Sequence, residues 1–344
     1  PDVVHLHDWH TGMLAVLRQF DPRFDRLLQV PFVFTIHNLA YQGQRPMLGD
    51  VSSLAAWYPW VRVEAEYVSD PHAAHVFNPM AAAIRLCDRI NTVSPSYAEE
   101  ILNPTDTEAG FIGGEGLEGL LREARDAGRL HGILNGCNYS DPGKAKPGWQ
   151  ALVRSLRTTI EGLVKSAPHP AHEIALERLA ALPKRRPLHV LTSVGRVVHQ
   201  KMRLFLEPTL SGSTALEDIL ANLGDKGVVI LVGEGDPNYE QELVDIAREN
   251  ENFIYVAGYS EPLSEAIFVA GDLFLMPSSF EPCGISQLRA MFAGQPCVVH
   301  GVGGLRDTIE DGVNGFIFEG GTPSEQAENF VRRVSQVLAA RHND

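Results

Sequence analysis

What most constrains the fold of this chain is an alternation, repeated along most of its length, of short β-rich runs with stretches of helical spacing. The runs VVHL at 3–6 and PFVFTI at 31–36 flank a helical stretch at 11–20, the pattern of strand, crossover helix and parallel strand. The period continues with a strand at 89–93, helices at 95–101 and 116–127, and a strand at 130–134. From 139 to 148 the composition shifts to Ser, Pro, Gly and Lys, and helices near 149–165 and 172–182 precede a basic, proline-rich stretch, which predicts a hinge. Beyond it, strands at 188–194, 228–232, 253–256, 273–276 and 297–299 alternate with helical patterns, the sign of a second doubly wound parallel sheet. A chain of 344 residues exceeds what one hydrophobic core usually spans. The expectation is therefore an α/β protein of two domains, 1–136 and 137–344.

Composition narrows the function. With 44% apolar residues and scattered Gly and Pro, the chain is neither disordered nor fibrous. Its longest apolar runs fall far below the roughly 18–20 residues of a membrane span. A net charge of −14 repels nucleic acid and anionic membrane, so neither is expected as a partner and a neutral or small substrate fits better. Cys87, Cys137, Cys283 and Cys297 show no paired spacing, which points to a reducing, cytoplasmic compartment. The opening at Pro1, without an initiator Met or leader, is expected to be a cut inside a domain, leaving the first domain incomplete.

In open parallel sheets ligands gather at the carboxyl ends of strands, and the loops there are rich in chemistry. His5, His7, Asp8 and His10 follow the first strand and His37 the second; Asn135 and Gly136 follow the run ending at Leu134. His5, His7 and His10 could share a metal, yet no Asp-x-Asp occurs and little else nearby could complete such a site, so no metal is expected. Gly233-Glu-Gly235 lacks the third glycine of a dinucleotide fingerprint and reads better as a turn for close packing. Arg196 and Lys201, five apart across a strand-to-helix junction, read either as a solvated pair or as cations holding a phosphorylated leaving group. Gly303 and Gly304 are either a simple turn or a cradle of amides for a pyrophosphate. Glu281, just after the strand at 273–276, either caps the next helix or faces charge developing at an anomeric centre.

Five blocks in order carry a resemblance: PDVVHLHDWHTG at 1–12, FTIHNLAYQG at 34–43, NTVSPSY at 91–97, GILNG at 132–136 and DLFLMPSSFEPCG at 272–284. Together they resemble the bacterial and plastid-type glycogen and starch synthases, retaining glucosyltransferases with two Rossmann-like domains facing a cleft, the GT-B type. The resemblance implies transfer of glucose from a nucleotide-glucose, ADP-glucose or UDP-glucose with bacterial likeness favouring ADP, to an α-1,4-glucan. It implies His37 near the sugar and Asp8 at the acidic position of the first loop. Arg196 and Lys201 would hold the diphosphate and Glu281 would engage the donor glucose. Cys283, Gly284, Ile285 and Ser286 would contact the donor beside it, with the Gly303 and Gly304 amides on the phosphate. Asn135 would lie at the cleft floor and Tyr259 by the base. No cofactor is implied.

The chain also departs from the family. A Lys-x-Gly-Gly donor segment has no counterpart, Cys137-Asn-Tyr139 stands where many members carry an Asp, and Met202 replaces a usual Gly after Gln-Lys. The chain ends at Asp344, where members often continue into a helical return. These departures motivate an alternative, a catalytically silent fragment that binds glucan or nucleotide.

Overall fold

The computed structural model describes residues 1–139 and 148–340, so all but the ends of the stretch that the sequence marks as a hinge lies outside the described residues. The chain divides into two compact units, Pro1–Thr107 with Phe111–Asn135, and Glu108–Gly110 with Gly136–Asp344.

Among its described residues the first unit carries a four-stranded parallel sheet, β1 (Val4–His7), β2 (Phe32–Ile36), β6 (Arg89–Thr92) and β7 (Leu130–Gly132), in the order β1-β2-β6-β7. The crossover helix begins at Asp8, not near residue 11, so Asp8, Trp9 and His10 lie on its first turn, directly after His7 at the end of β1, instead of in a loop. Asp8 explains the early start. Its φ of 53° turns the strand sharply into the helix, a conformation Asp tolerates better than most residues, and the Thr11 hydroxyl clasps the His7 carbonyl at 2.9 Å. Asn78 and Ser94 cap the helices Pro79–Leu86 and Pro95–Glu100, each with proline at its first position. A small antiparallel sheet of β3 (Arg45–Pro46), β4 (Ser69–Asp70) and β5 (Ala73–Phe77) is absent from the sequence reading; β3 and β4, at two residues each, carry no period.

The second unit holds a six-stranded parallel sheet: β8 (His189–Val194), β9 (Gly227–Gly233), β10 (Phe253–Ala257), β11 (Leu273–Met276), β12 (Cys297–His300) and β13 (Gly315–Phe318). Their order is β10-β9-β8-β11-β12-β13, the 3-2-1-4-5-6 arrangement of doubly wound nucleotide-binding sheets. Every residue of β8, β9, β10, β11 and β12 is buried, as expected of parallel strands covered on both faces. Alternate residues feed two separate cores. Leu191, Val229, Leu231 and Leu275 pack with the helices Ala215–Leu223 and Pro323–Ala340, whereas Val190, Ile230, Val232 and Phe274 pack with Trp149–Ser166 and Glu261–Ala270. The strand order reverses between β8 and β11, so a crevice at their carboxyl ends is where such a sheet binds its ligand.

Candidate functional site

In the second unit, the loops after β8 and β11 meet at that point of reversal. Lys201, on the helix His199–Leu206, forms an ion pair with Glu281. Both are largely withdrawn from water, with side-chain exposures of 16% and 8%. Removing two charges from water costs several kcal/mol each, which their mutual attraction offsets only in good geometry, so the surrounding loop is braced. Gln200 donates to the Phe280 carbonyl at 2.9 Å, and Ser279 N donates to the Gln200 carbonyl at 2.8 Å. Beyond the carboxylate, the Gln287 amide donates to the carbonyls of Cys283 and Gly284 at 3.0 and 3.2 Å. Gly284 sits at φ 78°, and a Cβ there would fall 2.4 Å from Gln287 Oε1. Under the loop, His300 donates from Nδ1 to the Ser278 carbonyl at 3.0 Å and stacks on Phe318. Burial pushes its pKa down to about 4.

The glycines serve packing. Gly304 N donates to the Glu281 carbonyl at 3.0 Å, and a Cβ on Gly304 would lie 2.4 Å from Cys283 Cα. The expected amide cradle of Gly303 and Gly304 is therefore corrected at Gly304, whose N–H is engaged by the loop it supports. Gly233 and Gly235 likewise let backbone touch backbone: Cβ atoms there would fall 1.8 Å from Gly195 O and 2.2 Å from Val197 O. Arg196 stays exposed, with no ion pair among the described residues, whereas Lys201 is paired with Glu281. Ile285 and Tyr259 are about half exposed, Cys283 is buried, and Ser286 begins the helix Ser286–Phe292.

In the first unit the ends of β1 and β2 bring a second group together. Asp8 Oδ1 accepts the His37 backbone N–H at 2.8 Å, and the buried Tyr97 hydroxyl accepts Leu39 N at 3.0 Å, so the loop after β2 is pinned twice. His37 Nε2 lies 3.0 Å from His7 Nδ1, and the His5 and His7 ring centroids are 4.3 Å apart. Burial, then the neighbouring His7 and His37, lowers the pKa of His5. His10 does not join them; it stacks on Trp9 at 3.9 Å. Among the described residues no three His, Cys, Asp or Glu side chains are grouped to hold a metal ion. Asn135, half-buried, donates its backbone N–H to Val93 O at 3.1 Å. His7, read from the sequence only as a candidate metal ligand, is found beside His37 instead. Tyr97, Gln200 and Gln287 escape a reading by sequence. Their partners lie on other segments, and no local spacing marks them.

Two parallel sheets, the second with its braced carboxylate at the strand-order reversal, define a glycosyltransferase fold of two Rossmann-like units, and solved structures agree. The catalytic domain of starch synthase IV from Arabidopsis thaliana, bound to ADP and acarbose, matches with a TM-score of 0.71 at 24% identity, covering 100% of this chain and 66% of that one. HepE from Anabaena in complex with UDP-glucose matches with a TM-score of 0.53 at 15% identity, over 99% of this chain and 74% of that one. Residues 1–123 match the starch synthase catalytic domain family, and residues 189–339 match the glycosyl transferases group 1 family. Glycogen synthases from Cellvibrio japonicus and Gloeobacter violaceus are 33% and 36% identical, over 92% and 93% of this chain. The chain belongs to the glycogen and starch synthase family. It spans 60% and 61% of the length of those two relatives.

Proposed function

We propose that this chain carries the glucosyl-transferring machinery of a glycogen synthase, moving glucose from ADP-glucose to the non-reducing end of an α-1,4-glucan with retention of configuration. The observation that carries this reading is the buried Lys201–Glu281 pair at the strand-order reversal of a nucleotide-binding sheet. Cleavage of the glucose–phosphate bond builds positive charge on the anomeric carbon and negative charge on the departing diphosphate. Glu281 answers the first. Lys201 and the exposed Arg196 answer the second, without a protein-held metal. Attack by the acceptor hydroxyl on the face the diphosphate leaves, with a phosphate oxygen taking the proton, retains configuration. His37 and Asp8 serve the sugar. ADP is favoured over UDP by likeness to the bacterial synthases, and the Arabidopsis neighbour's bound ADP supports it.

Transfer of labelled glucose from ADP-glucose and, separately, UDP-glucose onto glycogen tests the proposal. Incorporation from ADP-glucose that disappears in Glu281→Ala supports it; turnover unchanged by that substitution overturns the assignment of Glu281. Binding of nucleotide or glucan without transfer would mark the chain as a silent binding fragment.

A further inference from the structure

The imidazole of His7 has no task in the proposed transfer, yet the residue is firmly held beside His37. Its backbone is clasped from both sides by Thr11, whose hydroxyl accepts His7 N at 2.7 Å and donates to His7 O at 2.9 Å. The next residue, Asp8, holds the His37 backbone. A single dipeptide thus grips His37 at two points, main chain and ring. The ring contact, His7 Nδ1 to His37 Nε2 at 3.0 Å, requires one nitrogen to carry the proton and the other to offer a lone pair. It also leaves Nδ1 of His37 without a hydrogen-bond partner among the described residues.

The Thr35 hydroxyl donates to Asn91 Oδ1 at 2.8 Å, so its oxygen accepts from His5 Nε2 at 2.7 Å, which places a proton on His5 Nε2. His5 on β1, Asp8 at the head of the first helix and Tyr97 on the helix Pro95–Glu100 are the titratable groups that face the loop; Thr35 and Asn91 are neutral.

We infer that His7 is a positioning residue for His37: by occupying Nε2 it commits Nδ1 as the nitrogen presented to a sugar hydroxyl. The inference rests on the proposed function only in naming that ligand. A ring free to flip would replace Nδ1 by the Cδ2–H at that position and spend part of its time without a bond to the sugar, a loss of preorganisation that lowers kcat more than it raises KM.

The test compares the full chain with His7→Leu, which removes the contact, and His7→Asn, whose amide reaches the same position. Two-bond proton–nitrogen correlation spectra of histidine-labelled protein read the tautomer and hydrogen bonding of His37 whether or not the chain transfers glucose. The expected result is a hydrogen-bonded Nε2 in the parent and in His7→Asn, and its loss in His7→Leu. The transfer assay is expected to show kcat reduced roughly ten- to a hundredfold in His7→Leu, with donor KM nearly constant and kcat recovered to within about threefold in His7→Asn. A His37 signal unchanged in His7→Leu, or equal kcat losses in both variants, overturns the inference. If the parent shows no transfer, the proposed function fails and the spectra alone decide the role of His7.

Discussion

Replacing Lys201 by Met leaves the Glu281 carboxylate inside the protein without its cation. Because Glu281 is only 6% exposed, the loss should approach that of a broken buried pair, about 3 kcal/mol. Replacing Glu281 by Gln strands the ammonium instead, but Lys201 is the more exposed partner and its flexible stem can reach water, so about 1 kcal/mol is expected. Lys201→Met with Glu281→Gln removes both charges, and the double variant should be more stable than Lys201→Met alone by about 1–2 kcal/mol. In a unit of roughly 200 residues each kcal/mol moves Tm by about 2–4 °C, so Lys201→Met melts about 6–12 °C early and the second substitution recovers part of that. Thermal unfolding followed by circular dichroism at neutral pH measures the cycle, and glucose transfer should be lost in all three variants. Single-variant losses that simply add would show that the two groups do not depend on each other, and the reasoning would fall.

Other perturbations report on the supports around these groups. Burial depresses the pKa of His300 to about 4 from 6.5, so between those values the unfolded chain binds a proton the folded one refuses. Its contribution, on the order of 3 kcal/mol, is complete above pH 6.5 and is lost as pH falls through about 4. His300→Asn, which keeps a donor for the Ser278 carbonyl, should flatten that acid limb in urea unfolding; a limb of unchanged slope would refute the assignment. Gly304→Ala drives a Cβ to within 2.4 Å of Cys283 Cα and should cost about 1–3 kcal/mol, with transfer reduced through the displaced Glu281 loop; parent-like unfolding and turnover would contradict this. Asp8→Asn should keep near-parent stability, since Asn tolerates the left-handed turn and still accepts His37 N, whereas Asp8→Ala should lose about 2 kcal/mol in the same assay. Equal losses would show that neither backbone strain nor the amide contact matters.

The parts legible in the sequence were those whose physics is local. β9 and β11 are continuous apolar runs because helices cover both faces of the sheet, and that burial is written into consecutive residues. β13, with only two of its four residues buried, left no such signature. The helix start at Asp8 was hidden since a polar residue in a left-handed turn looks like a loop. Glu281 and Lys201 stood out by following strands, but their contact bridges 80 positions of chain and depends on which strands are neighbours, something no window of residues encodes. The Gln200 and Gln287 braces were illegible for the same reason, as was the engagement of the Gly304 amide.

The strand order also sets the timing of synthesis. β8 pairs on one side with β9, which follows closely, but on the other with β11, where Leu191 meets Leu273. A ribosome adding about 5–20 residues per second needs roughly 4–16 s to pass from one partner to the other. Throughout that interval a strand destined for full burial keeps one edge open to any passing chain. The segment that closes this edge of β8 is the one that delivers Glu281 to Lys201, so the strand is covered as its charged pair is assembled.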